Sequence, residues 1–404
     1  MNLDIEFDDF IKQEQENAKK LKLPYNFIVS KAEGSVLTDT NNKRYIDFTS
    51  NLDNNSLGFN NELIKNSIIS NNNKLNYLSS YVYSESVSDL ADKIKDVSGL
   101  NFVYFSNSAH EAIDTALNLL KSWIENNYFA ETKNEVLFIN GTNNVQNIDI
   151  YKINTSRSTR FIHISNILEF QSTYLLDTST FKNLFTKRIA AVIVNPIGII
   201  DGCYIADHEI LEIIKVFCEK YNSLLIFDST SVSLGRLGKL LPYSDIDPDI
   251  LILSNSLGQG IPLGLAATSH KLDKLKQCYQ HSYGTSALAA DIACKFINMI
   301  NFESYFDQIK LKSEYLLSRL NELRDKYLSI IEIINKGLYY TIEFDFNLVE
   351  LVERCKDDGI IVELIDSKII KLTPPFIITN EEIDILYEVL DKNLNLLKGD
   401  YRLK

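Results

Sequence analysis

Three places in the 404-residue chain combine residue type and setting in ways that could do chemistry. In "FSNSAHEA" (105–112), Ser106, Asn107 and Ser108 stand between a short apolar run and an amphipathic run that begins at Glu111. Free backbone N–H groups and the helix dipole at such a strand-to-helix turn suit a phosphate. Ser108 can add its hydroxyl there, or serve as a plain N-cap. Asp228 closes the apolar run "SLLIFD", at the kind of strand end where α/β proteins collect ligands. It could instead cap the turn that follows. "ILSNSLGQGIPLG" (252–264) is the end of a buried strand entering a glycine-rich turn, with Asn255 at its head.

These residues need a frame, and the apolar patterning supplies one. "NFVYF", "EVLFIN", "IAAVIVNPIG" (189–198), "SLLIFDSTS" (223–231) and "DILILSNS" (249–256) are short apolar runs with little alternation. Such strands are covered on both faces, which implies a parallel sheet with helices between its strands. The helices fall at 84–100, from Glu111 onward, and at 207–222. "GSVLTDTNNKRYIDFTS" predicts two short strands around an Asn-Asn turn, and residues 5–22 predict a helical arm. After about residue 290 the pattern changes to a long helix over 303–326 with strands near 330–345 and 359–372. The expected fold is thus α/β: a large domain with a mainly parallel sheet over 46–290, a smaller α+β domain over 291–404, and an arm over 1–45 that joins the smaller one. The Asn-rich stretches 51–61 and 71–76 read as loops.

Composition narrows the function. The chain is 45% hydrophobic and 24% charged, with a net charge of −13. That acidity argues against nucleic acid, whose phosphates call for clustered Lys and Arg. The basic stretch Asn42-Lys43-Arg44-Tyr45 is too short to be a patch. Cys203, Cys218, Cys278, Cys294 and Cys355 are scattered, without CxxC spacing, and the five histidines form no cluster with them. Reduced thiols, no metal site and a cytoplasmic location are the expectation. The acidic N-terminus does not read as a signal peptide, and no apolar run is long enough to span a membrane.

Taken in order, "GSVLTDTNNKRYIDF", "FSNSAHEA", "VIVNP", "LLIFDSTSVSLGRLGK", "PDILILSNSLGQGIPLG" and "IKLTPPFIITNEEID" resemble the class III aminotransferases of the ornithine/acetylornithine type. The resemblance covers roughly residues 25–395. It implies the fold-type-I architecture of pyridoxal-phosphate enzymes and a dimer. It also implies roles. Ser108, Ala109 and His110 would face the cofactor phosphate, although the family has a glycine and an alanine after the serine. Asp228 would pair with the protonated pyridine nitrogen, making the ring an electron sink. Thr285, or Ser282, would be the hydroxyl lent across the dimer interface to the phosphate.

The departures from the family are as informative. Where it carries the lysine that binds the cofactor as a Schiff base, this chain has Asn255. That lysine is also the general base of the reaction, and losing a general base costs about 10²–10⁴-fold. Ser231 replaces the glutamine that contacts the ring hydroxyl, Asn195 a glutamate, and Ile139 and Asn140 an aromatic-His pair at the ring-stacking position. Lys371 stands for the arginine that forks a substrate carboxylate, keeping charge but not bidentate geometry. Five changes together read as a site released from ordinary transamination. The expectation is a degenerate, non-catalytic or atypical subunit, as a homodimer or paired with a lysine-bearing paralogue. Pyridoxal or pyridoxamine phosphate would bind non-covalently if at all, and a small-molecule amino donor is possible. The alternatives are a working aminotransferase for ornithine, acetylornithine or another ω-amine, or a lysine-independent enzyme of the same cofactor.

Overall fold

The computed structural model describes residues 27–72, 82–128, 133–140, 148–153, 164–169, 185–195, 197–198, 204–205, 208–232, 234–241, 246–273 and 285–397, with positions 74 and 275. The expected arm at 5–22, Cys203, Cys278 and Ser282 lie outside them. Among the described residues Cys218, Cys294 and Cys355 are free thiols, and no helix is long and apolar enough to cross a membrane.

The chain opens with β1 (Val29–Glu33), β2 (Val36–Asp39) and β3 (Arg44–Asp47), an antiparallel meander. The large sheet uses β4 (Phe102–Ser106), β5 (Glu135–Asn140), β6 (Ile148–Ile153), β7 (Ile164–Glu169) and β8 (Ile189–Asn195). After the small hairpin of β9 (Ile197–Gly198) and β10 (Tyr204–Ile205), it takes β11 (Leu224–Ser229), β12 (Ile250–Leu253) and β13 (Gly264–Thr268). Its order is β4-β13-β12-β11-β8-β5-β6-β7. The pairs β12–β11, β11–β8 and β8–β5 are parallel, as their unalternating apolar runs predict. β13 runs antiparallel to both β12 and β4. The reason is the connection: residues 254–263 form a tight turn, and a parallel return needs a crossover of a dozen or more residues.

Both faces of this sheet are covered. The helix Ala109–Asn127 packs Ala112, Leu120 and Ile124 against Ile193, Ile226 and Ile252. On the other face, the helices Glu85–Ser98, His208–Tyr221 and Ala287–Ile300 bury Leu90, Ile214 and Phe296 against Val192, Phe227 and Leu253. The helix expected over 84–100 ends at Gly99, whose φ of 70° closes it in the left-handed conformation.

Gly264 shows how tightly the strand ends meet. It pairs with Ser106, and a Cβ on it would lie 2.4 Å from the Ser108 carbonyl oxygen and 2.8 Å from Ser106 Oγ. Gly264→Ala is therefore expected to push the β4 exit off β13 and destabilise the protein by roughly 1–3 kcal/mol. Denaturant unfolding would register that as a lower midpoint. An unchanged midpoint would mean that the approach is not this close.

A second core lies in the C-terminal third. β14 (Ile330–Lys336), β15 (Tyr339–Phe344), β17 (Glu363–Asp366) and β18 (Ile369–Leu372) form a sheet, and β16 (Ile360–Ile361) pairs in parallel with β3. The helices Glu303–Lys326 and Asn380–Leu397 cover that sheet. Phe48, just after β3, is buried in the same core.

Between these cores the stretch expected as a simple loop does something less common. Ser50, Asn51, Leu52 and Asp53 have φ of 50°, 55°, 55° and 62°, a full turn of left-handed helix without a glycine. Each such residue costs roughly 1–2 kcal/mol, so the surroundings must hold the turn. Asp47 accepts the N–H groups of Thr49 at 2.7 Å and Asn51 at 2.8 Å. Ser50 Oγ donates to the Thr373 carbonyl at 2.6 Å. Asp53 takes two bonds from the fully buried Arg236, at 2.6 and 3.0 Å. Arg236 also donates to the carbonyls of Leu338 and Pro374 and lies 4.7 Å from the Phe376 ring centre.

Candidate active site

The turn "SNSAHEA" becomes the start of the helix Ala109–Asn127. Ser108 is its N-cap, its hydroxyl accepting from Glu111 N at 3.2 Å, while the Glu111 carboxylate accepts from Asn107 N at 2.8 Å. Ser108 is thus an N-cap, and Glu111 also ties down the residue before it. The cap leaves the hydroxyl hydrogen free to donate. The amides of Ala109 and His110 have no partner among the described residues. These two N–H groups form the positive end of a 19-residue helix.

Ser108 and Ala109 line a cleft of about 240 Å³ with Asn54, Asn107, Ser254, Asn255 and the segment Gly260–Leu263. Two of the three chemistry-bearing places in the sequence thus meet in one cavity. The His110 side chain is exposed and is not part of the lining. Asn54 was not singled out in the sequence, where it sits in an Asn-rich loop. The left-handed turn delivers it to the cleft.

Asn255 begins a short 3₁₀ turn, Asn255–Gly258, directly after β12. Its φ is 52°, a conformation that Asn tolerates better than most residues. Its carboxamide has no partner among the described residues and faces the cleft as an uncommitted donor and acceptor. The backbone around it is fixed. Ser254 Oγ donates to the Leu263 carbonyl at 2.9 Å. The Gln259 side chain accepts from Leu57 N at 3.0 Å and donates to Ser56 Oγ at 2.9 Å and the Ser256 carbonyl at 2.6 Å. Gln259 therefore latches this turn to the loop that carries Asn54.

Asp228 ends β11, opposite Ile252 of β12 in the parallel register. Only 6% of it is exposed. Oδ1 accepts from Thr230 N at 3.0 Å and Thr230 Oγ1 at 2.7 Å, which supports the turn-capping reading too. Burial raises the carboxyl above the ordinary range, and the Thr230 bonds offset this only in part. No cation pairs with it among the described residues. Asp228 does not line the 240 Å³ cleft; it shares the sheet face of the helix Ala109–Asn127, whose N-terminus does.

Asn140 and Asn195 are paired across β5 and β8, and Ser231 Oγ donates to Asn195 Oδ1 at 3.3 Å. Two positions read in the sequence as departures from the family thus bond to each other. Ile139 is a correction. It is fully buried with Leu137, Val192, Val194 and Phe227, on the sheet face opposite Asp228, because successive strand residues alternate. It is a core residue and does not stack at the site. Thr285 is 7% exposed, its hydroxyl without a partner among the described residues, just before the helix that packs on the 255–258 turn. Lys371, on β18, is buried and bridges to Glu363 at 2.7 Å.

A three-layer α/β frame whose cleft lies between a helix N-terminus and the 255–264 turn, with a buried carboxylate at another strand end of the same sheet, is the architecture of the fold-type-I aminotransferases. The chain belongs to the class III aminotransferase family, whose profile matches residues 17–394. Relatives include the acetylornithine aminotransferase of Clostridium acetobutylicum, 26% identical over 92% of this chain and 97% of that protein. Another is the succinylornithine transaminase of Yersinia pestis, 26% identical over 89% and 90%. The fold matches the structures of acetylornithine aminotransferase from Elizabethkingia anophelis and ornithine δ-aminotransferase from Plasmodium falciparum. TM-scores are 0.82 for both, at 23% and 24% identity over 96% and 98% of this chain and 99% and 100% of those chains. Class III aminotransferases use pyridoxal phosphate. The residues here fit that group: free amides and a hydroxyl suit its phosphate, and an unpaired buried carboxylate suits its ring nitrogen.

Proposed function

We propose that this protein holds pyridoxal phosphate or pyridoxamine phosphate without a covalent bond and handles amino groups on amino-acid or ω-amine substrates of the ornithine and acetylornithine kind. Asp228 carries the reading: a buried carboxylate with no cation partner among the described residues, at the end of a strand of the sheet whose other strand ends border the cleft. When bound, the cofactor supplies an electron sink for a substrate amine. Ala109 N, His110 N and Ser108 Oγ would hold the phosphate. Asp228 would keep the ring nitrogen protonated. Asn255 can orient a ligand by hydrogen bonds, but a carboxamide neither attacks a carbonyl nor takes up a proton near neutral pH. Proton transfer then falls to water or a free amine, about 10²–10⁴-fold more slowly than with a placed base.

Asp228→Asn tests this. The amide keeps an oxygen for Thr230 but loses the charge, and pyridoxal phosphate affinity is expected to fall about tenfold or more, as for a lost charge-assisted bond. The cofactor-free variant should be the more heat-stable of the two. Because the folded-state value of Asp228 is raised, its contribution favours folding at pH below the ordinary carboxylate value and is lost as pH rises through the raised one. The gap between variant and parent should therefore widen with pH. Equal cofactor affinity in both proteins would sink the reading.

The Lys371–Glu363 bridge favours a second reading, a non-catalytic subunit of the same family beside a lysine-bearing paralogue. Single-turnover measurements with ornithine, acetylornithine and glutamate separate the two. Cofactor binding without any amino transfer would support the second.

A further inference from the structure

Gln259 does not line the cleft, but the residues on both sides of it do: Ser254 and Asn255 before it, Gly260–Leu263 after it. Its backbone has φ 49° and ψ 51°, a left-handed conformation that a glutamine adopts at a cost. Only 2% of the residue is exposed. A buried carboxamide on such a backbone needs compensation, and each of its polar atoms is used. Oε1 accepts from Leu57 N, and the two Nε2 hydrogens go to Ser56 Oγ and the Ser256 carbonyl. Its own carbonyl accepts from Asn55 Nδ2 at 3.2 Å. A carboxylate can only accept and an ammonium can only donate, whereas a carboxamide does both. The next residue closes the seam. Gly260 has a φ of 90°, and a Cβ there would lie 2.7 Å from Asn55 Nδ2. The loop held in this way carries Asn54, which spends Nδ2 on the Asn51 carbonyl at 2.8 Å and borders the cleft. Another tie of the loop, Phe376 N to the Ser56 carbonyl at 2.7 Å, runs to the C-terminal third instead. The Gln259 side chain therefore spans the two walls of the cleft.

We infer that Gln259 is a positioning residue: it holds the wall that carries Asn54 against the wall that carries Asn255, so that a ligand seated on one wall is felt by the other. The cleft is thereby shaped before the ligand arrives, and the ordering of its loop does not weaken binding. This rests on the reading that the cleft holds pyridoxal phosphate or pyridoxamine phosphate, and it names the residue that sets the cleft's shape.

Gln259→Gly in the full chain tests it. Glycine suits a φ of 49°, so the variant loses the latch and the backbone strain together, which separates positioning from folding stability. In cofactor-free protein, amide exchange at residues 55–58 is expected to be at least about tenfold faster in the variant, with β11 and β12 unchanged. In native protein, pyridoxal phosphate should slow exchange at both 55–58 and 256–261. In the variant it should slow 256–261 alone, and its affinity by absorbance titration should fall at least about tenfold. Unchanged exchange at 55–58 overturns the inference, as does a rise spread evenly over the sheet. So does a variant that binds pyridoxal phosphate as tightly as native protein or still protects both segments. A native protein that takes up no pyridoxal phosphate defeats the functional reading instead, while exchange of the cofactor-free proteins still judges Gln259. Should Gln259→Gly not fold, Ser56→Ala removes one contact of the latch from the opposite wall and is judged by the same comparison.

Discussion

Asn255→Lys is expected to give a yellow protein in which borohydride fixes the cofactor to residue 255, whereas the native chain treated alike yields no pyridoxyl-lysine at any position. Restoring a placed base should raise amino transfer by about 10²–10⁴-fold. The variant should still fall short of ordinary enzyme rates, on the order of 1 per second. Three features hold it back. Lysine at a φ of 52° is more strained than asparagine, which tolerates that conformation. Ser231 is engaged with Asn195, and Lys371 with Glu363. Peptide mapping and single-turnover kinetics with acetylornithine are the measurements. Turnover at 1 per second or faster would show an otherwise intact transaminase site. A reduced protein with no label at 255 would show that the reactive end of the cofactor lies elsewhere.

Arg236→Met should be the most destabilising single change. The guanidinium is fully buried and serves Asp53, Ser50, Leu338 and Pro374 at once. Removing it takes two hydrogen bonds and an ion pair from the Asp53 carboxylate, which is 1% exposed. Breaking a buried pair from one side costs about 3–5 kcal/mol. Asp53→Asn in the same chain should recover part of that loss, because the buried charge that Arg236 balanced is then gone. Urea unfolding of the two single variants and the double variant gives the coupling. Strict additivity would mean that the two residues do not act as a unit.

Much of the frame was legible in the sequence because it follows from local rules. The apolar runs at 189–195, 224–229 and 250–253 can only be strands buried on both faces, and the helices at 85–98, 208–221 and 303–326 follow from periodicity. The reversal of β13 needed the length of one turn to be weighed against the parallel pattern. The candidate site was half legible. Ser108, Ala109 and Asn255 do share a cleft, while the side chain of His110 points outside it. Ile139 was misplaced because one step of strand register sends a side chain to the opposite face. Asn54, Gln259 and Glu363 carry no local signal. Asn54 reaches the cleft through a left-handed turn that Ser50 and Leu52 do not favour, held by Asp47 nearby and by Thr373 and Arg236, 323 and 183 positions away. Glu363 is paired by a register that only the folded sheet defines.

That left-handed turn also constrains the order in which the chain can mature. Its bond from Ser50 to Thr373 spans 323 positions, and the Asp53–Arg236 bond spans 183. At about 5–20 residues per second of synthesis, residues 50–53 would wait roughly 15–65 seconds on the ribosome before the last of their supports exists. Until then Asp47, Thr49 and Asp53 have no interior to enter, and Phe48 has no core. The segment 47–53 is therefore made early and settles late. In a growing chain it is the segment that a chaperone or protease would meet.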